Sequence, residues 1–257
     1  MTSQMTSGPA AHGWGSNMKT IAAIAQSDRG SNVAAPTTTG GRRWLPAGLA
    51  ATALLLISIG FSGIGDAPDP HAPANEIADW FTVRRTDILL ATPFGYLGAL
   101  AIVALSVVLA GPRQRATTTM SGRVLIAGGV ITATYLFGVH LGWSANAYLI
   151  AGSSPQSAKV VFVMTITSVP LFALGVGLMA GAAAVHAPSP VVGRWWRVAS
   201  AAVAALSSVG MIAIADRGFF SPDVQQQTIG NVLLAWLLIT AVVAALPTRP
   251  TRRAPPV

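Results

Sequence analysis

Six long apolar stretches, none with an Asp, Glu, Lys or Arg in its interior, leave this chain few folds to choose from. They run from Leu45 to Gly65, Ile88 to Gly111, Val124 to Trp143, Val160 to Val185, Val198 to Ala215 and Thr228 to Leu246. Roughly 17–25 apolar residues, rising about 1.5 Å each, cross the hydrocarbon core of a bilayer. A charge at its centre costs at least about 2.5 kcal/mol, so a spanning segment keeps its charges at its ends. Lipid offers no partner to backbone N–H and C=O groups, and a single apolar segment can satisfy them only as a helix. The reading is an all-α, polytopic membrane bundle of six transmembrane helices. Composition agrees: 9% of the 257 residues are charged, where a soluble domain carries about 25%. The fifth stretch, Ala-rich and bearing Ser207 and Ser208, is the weakest of the six candidates.

The charges orient this bundle. Lys19, Arg29, Arg42 and Arg43 precede the first span, and Arg113, Arg115 and Arg123 lie between the second and third. Arg194 and Arg197 join the fourth to the fifth, and Arg249, Arg252 and Arg253 follow the sixth. That places twelve of the sixteen basic residues on one side, with Arg84, Arg85, Lys159 and Arg217 on the other. Every acid except Asp28 falls on that second side. Cytoplasmic loops carry the Lys/Arg excess, so both termini are expected in the cytoplasm of a plasma-membrane protein. The net charge of +8 is then topological, and no nucleic-acid partner is expected.

Domain boundaries follow from the same pattern. Residues 1–41, rich in Ser, Thr, Gly, Ala and Asn, read as a disordered cytoplasmic tail, with Met18 a second possible start of translation beside Met1. Residues 42–247 form the transmembrane domain, and 248–257 a basic cytoplasmic tail. Arg42-Arg43-Trp44-Leu45 loosely resembles a twin-arginine signal, but five further spans argue for a permanent first helix. Trp44, Trp80, Trp143, Trp195 and Trp196 sit at predicted span ends, where indoles prefer the headgroup level. Trp236, in the middle of the sixth span, is expected to pack within the bundle.

The outer loop, 66–87, is the one substantial stretch of soluble sequence. Its prolines Pro68 and Pro70 impose extended or turn geometry. From Pro73 a short amphipathic helix is predicted, with Ile77, Trp80, Phe81 and Ile88 on one stripe, resting on the outer membrane surface. Asp66, Asp69, His71, Glu76 and Asp79 make this loop a candidate surface for a partner. Carboxylates and imidazole also suit a divalent cation, but the spacing matches no metal loop and a solvated acidic loop is the plainer reading. No metal and no cofactor are assigned.

Within the spans, Thr165, Thr167, Ser168 and Pro170 combine hydroxyls with a helix-breaking proline, the kind of break that lines binding sites in transporters and also occurs without that role. His140, near the outer end of the third span, is the matching candidate for a proton relay. His186 lies at the opposite end of its span, so the two cannot ligate one haem. Gly177 and Gly181 form a GxxxG suited to packing inside the bundle. Ser221 and Pro222 read as a helix start, with the Ser side chain as cap. Asp216 and Arg217 are expected to satisfy one another or lipid headgroups. The chain has no cysteine, which removes thiol catalysis, disulfides and thiolate metal sites. No phosphate loop, nucleophile elbow or HExxH is present, so no catalytic residue is assigned and an enzyme is the least favoured reading.

Three segments carry a resemblance: Ala67-Pro68 together with Glu76 to Leu90, Ser154 to Ala158, and Gly218 to Pro222 ahead of a span containing Trp236. Across residues 42–247 the chain resembles uncharacterised six-helix membrane proteins of actinobacteria. The resemblance implies a fold and a membrane location and carries no activity or site residue. Two functions stay open: a small transporter or accessory subunit of an envelope export system, handling a neutral or apolar cargo, with a cavity lined by Thr167, Ser168 and His140; or a structural protein of the cell envelope whose acidic loop binds a partner. Besides the lipid bilayer, a membrane-protein partner or a second copy is expected.

Overall fold

The computed structural model describes residues 44–111, 119–149, 154–185, 194–212 and 218–245. The two terminal tails, Met18, Arg113, Arg115, His186, Asp216 and Arg217 lie outside these residues. Among the described residues every regular element is helical. We number them α1 (Trp44–Ser62), α2 (Ala74–Val83), α3 (Arg85–Ala110), α4 (Met120–Leu149), α5 (Pro155–Thr167), α6 (Val169–Val185), α7 (Arg194–Gly210) and α8 (Pro222–Ala245), with a single 3-10 turn at Ile64–Asp66.

Four helical stretches are long and apolar enough to cross a membrane: Arg85–Ala110, Met120–Tyr148, Pro155–Val185 and Pro222–Val243. A shorter apolar stretch covers Pro46–Ser62. By length and composition these helices point to a membrane location.

Cross-helix contacts define the arrangement. Ser58 meets Ala91 and Gly98 faces Leu55, so α1 and α3 run antiparallel. Thr92 meets Ser144, and Gly129 faces Ser106, which does the same for α3 and α4. Gly128 lies on Met179 and Tyr135 on Phe172 (α4 and α6), and Gly177 and Gly181 lie on Ser207 and Ala204 (α6 and α7). Trp236 reaches Ser200, and Gly48 abuts Ala241, closing α7 to α8 and α8 back to α1. The long helices thus form a closed antiparallel ring. We call the end carrying residues 63–84 the loop end, and the other the far end.

Small residues let the helices meet. A Cβ on Gly128 would stand 2.5 Å from the Met179 backbone nitrogen and 2.8 Å from the Gly175 carbonyl, so α4 and α6 touch backbone to backbone. Such close approach gives apolar helices van der Waals contact that lipid cannot match. The Gly177–Gly181 pair is used in the same way against α7. In the far half, Leu105, Leu109, Leu125 and Met179 are fully buried. Trp196 and Trp236 join them there, their indole N–H groups donating to Thr240 Oγ1 (3.1 Å) and Ser200 Oγ (2.9 Å).

The structure departs from the sequence expectations in four places. First, α4 continues to Leu149, beyond the expected end at Trp143. Trp143 is therefore no interface marker: it is 3% exposed and meets Trp80, Phe81 and Phe162 edge-on or tilted. Second, Trp195 and Trp196 part company, one exposed and the other buried, because adjacent helical residues point about 100° apart. Third, α2 begins after Pro73 as expected, but Ile77 and Phe81 are fully buried. Its apolar stripe turns onto α4 and α5 instead of resting on a membrane surface. Fourth, α8 begins at Pro222, yet the Ser221 hydroxyl donates to the Gly218 carbonyl (2.7 Å) instead of capping the helix.

Candidate functional site

At the far end α1 and α8 touch through Gly48 and Ala241. Toward the loop end a cavity of about 330 Å³ lies between them, bounded by α3, α4 and α6 on the other sides. That volume is at the small end of the roughly 300–1,000 Å³ typical of small-molecule sites.

The loop from Ile64 to Pro70 borders the cavity at its mouth. Its shape begins at Gly63, whose φ of 62° is left-handed. It is this backbone conformation that favours glycine; a Cβ there would also stand 2.6 Å from the Arg84 guanidinium, which would have to shift. Arg84 then pairs with Asp66 at 3.0 Å, and the His71 N–H donates to Asp69 Oδ1 at 2.7 Å. Lys159, on α5, donates to the Ala72 carbonyl at 2.7 Å. The loop is thereby tied to α3 through the residue before it and to α5 directly.

His140 on α4 is the centre of the polar wall. Its Nδ1 lies 2.7 Å from the Leu136 carbonyl, which can only accept, so Nδ1 carries a proton. In the neutral ring Nε2 is then an acceptor, 2.8 Å from Ser58 Oγ on α1. The Ser58 hydroxyl has a second acceptor, the Ala91 carbonyl at 3.1 Å. Gly95 on α3 makes room for this ring: any side chain there would run into the imidazole. One turn outward, Thr92 Oγ1 and Ser144 Oγ lie 2.9 Å apart, and the Ser144 hydroxyl donates to the His140 carbonyl. Across the cavity, α8 contributes Gln226, Gln227 and Asn231 from its first turns. Tyr135, stacked on Phe172 (4.6 Å, 15°), and Trp143 complete the α4 wall.

Of the residues singled out from sequence, His140 and Asp69 line this cavity. Thr165, Thr167, Ser168 and Pro170 do not, although their neighbours Ile166 and Phe172 do. The three hydroxyls donate to carbonyls of their own helix: Thr165 to Val161 (2.7 Å), Thr167 to Met164 (3.3 Å) and Ser168 to Thr165 (2.7 Å). The break itself is present, with α5 ending at Thr167 and α6 starting at Val169. Asp66 is engaged with Arg84, while His71, Glu76 and Asp79 are exposed on the loop and α2. Among the described residues no three His, Asp or Glu side chains converge to hold a metal ion.

Sequence reasoning passed over Ser58, Thr92 and Tyr135, and took Trp143 for an interface marker. One signal was available: Tyr135, Val139 and Trp143 recur every four residues, one helical face, and His140 borders it. The run Gln225-Gln226-Gln227 at the start of the last helix was a second. Gln225 itself is buried and donates to the Phe219 carbonyl, leaving its two neighbours for the cavity.

Among the described residues the wall offers hydroxyls, amides, an indole and one imidazole, with carboxylates (Asp69, Asp223) as its charged groups and no lysine or arginine. It is equipped to hold an uncharged molecule. Compared with protein-family models, curated proteins and solved structures, the chain matches none.

Proposed function

We propose that this chain is a six-span plasma-membrane protein, with both termini cytoplasmic, that carries a small, neutral, mainly apolar solute. It acts as a small transporter or as the accessory subunit of an envelope export system, and it stands in the line of the actinobacterial six-helix proteins. One observation supports the reading above others: the cavity borders the acidic loop end, while in the far half α4 and α6 pack backbone to backbone and α1 meets α8 at Gly48 and Ala241. Under the charge-derived orientation this is an outward-facing form. The α5–α6 break at Ser168, two residues from the wall residue Ile166, supplies the discontinuous helix on which alternating access depends.

Topology is tested first. Since the chain lacks cysteine, single cysteines at Asn75 and Arg197 report sidedness without background. Asn75→Cys in intact cells should react with an impermeant maleimide, and Arg197→Cys only after permeabilisation. The reverse result overturns the orientation. Transport is tested in proteoliposomes with small uncharged solutes: flux should depend on protein and be lost in Gly95→Ala, which expels the imidazole from its place. Unchanged flux in that variant, at normal expression, would count against the reading.

The exposed acids Glu76 and Asp79 support a second reading, docking of an envelope partner. Charge removal at both (Glu76→Gln with Asp79→Asn) should then release the partner while leaving flux intact.

A further inference from the structure

The proposed function leaves two features of the cavity wall unused. Tyr135 is 4% exposed and Trp143 is 3% exposed, and both line the cavity. Among the described residues neither the Tyr135 hydroxyl nor the Trp143 indole N–H has a hydrogen-bond partner. A buried donor left without an acceptor costs about 1–3 kcal/mol. The other large indoles of the interior, Trp196 and Trp236, are both satisfied. Trp80 Nε1 and Ser207 Oγ are also without a partner among the described residues, but neither residue lines the cavity; the two orphaned donors that belong to cavity-lining residues lie two turns apart on one face of α4.

What such a wall selects follows from donor and acceptor chemistry. An indole N–H can only donate, and a tyrosine hydroxyl donates readily to an oxygen acceptor. An occupant must therefore bring acceptor oxygens. It must also be uncharged. Asp69 and Asp223 disfavour an anion at the mouth, and among the described residues no lysine or arginine lines the interior to compensate one. A cation at depth, beside His140 and Ser58, would meet no carboxylate either. The remaining surface is apolar and partly aromatic, with Phe172 stacked on Tyr135 at the deep end.

From this placement we infer that the cavity is a binding site for uncharged, mainly apolar molecules bearing a carbonyl- or ether-type oxygen, which accepts from Tyr135 and Trp143. The inference rests on the solute-binding reading of the same cavity and gives that solute its chemical class.

The test compares three probes of similar size against the full chain in nanodiscs, with empty discs of equal lipid content subtracted: acetophenone, ethylbenzene and benzoate. Binding is read by saturation-transfer NMR. Acetophenone should bind about three- to tenfold more tightly than ethylbenzene, the range a single neutral hydrogen bond supplies, and benzoate should not bind. Tyr135→Phe should remove most of this preference without lowering the thermal midpoint, because its hydroxyl has no partner to lose among the described residues and its removal relieves an orphaned donor. Trp143→Phe repeats the comparison at the second donor, and carries it alone if the first variant does not fold.

Equal binding of acetophenone and ethylbenzene to the wild type overturns the inference, as does a preference that survives both substitutions. Binding of benzoate overturns it too. Acetophenone binding with the expected preference, but no solute flux in proteoliposomes, leaves the site standing and refutes transport. Flux of neutral solutes with no oxygen preference does the opposite.

Discussion

The two halves of this bundle are built from the same residues to opposite ends. In the far half, Gly128, Gly175 and Met179 bring backbones into contact, and polar side chains such as Ser200 and Thr240 are spent on indole N–H groups. In the loop half, Gly95 serves to seat an imidazole instead of a neighbouring backbone, and Ser58 and Thr92 border open space. The difference teaches that in an apolar bundle small residues do not by themselves mean close packing. They create room, and what enters that room decides whether it becomes a seam or a site.

The comparison can be broken most forcefully at Gly128. Gly128→Leu should prevent stable assembly, seen as loss of a monodisperse peak on size exclusion; even Gly128→Ala should cost about 1–3 kcal/mol through overpacking against the Met179 backbone. Gly177→Ala, whose Cβ would lie 3.4 Å from that of Ser207, should be tolerated and marks the contrast. Next in size, Trp236→Phe strips the partner from the buried Ser200 hydroxyl and should cost about 1–3 kcal/mol in detergent unfolding. Gly95→Ala should cost less stability, because a side chain flanked by a cavity can relax into it. Its main effect should be on binding of neutral probes. A stability loss equal to that of Gly128→Ala would show the two halves to be equally tight. Smallest of all, Arg84→Gln removes an ion pair whose carboxylate is 74% exposed, and should change the thermal midpoint by no more than about 1 kcal/mol allows, less at high salt.

Much of the frame was legible in the sequence because lipid imposes it. Uncharged apolar runs, Pro73 ahead of α2 and Pro222 at the head of α8 each follow from a local physical rule. The inward faces were not legible. On α3, Leu97, Leu100 and Val107 are exposed while Ile102 and Leu105 are buried, yet nothing in their chemistry separates them. In water the helical period betrays the core; when both faces are apolar it falls silent. Hydroxyls are equally mute. Thr92 and Thr167 each donate to a carbonyl of their own helix, and only the neighbouring helix decides which of them borders a cavity. Thr165 and Ser168 were natural candidates beside Pro170, but their phase on the helix carries them away from the site. Trp143 was misread because an indole near the end of an apolar run normally marks an interface. Here α2 folds back and supplies Trp80 and Phe81 as its surroundings.

One tie between elements has a mechanical meaning. Lys159 fastens the first turns of α5 to the Ala72 carbonyl, and α5 is jointed to α6 at Ser168. Nine residues of helix separate knot from joint, an arm of about 14 Å at 1.5 Å per residue. Swung by ten degrees, its tip travels about 2 Å, roughly the distance that decides whether a hydrogen bond exists. A change in the angle between the two half-helices would therefore strain or break the tie that Lys159 makes to the segment following the cavity mouth.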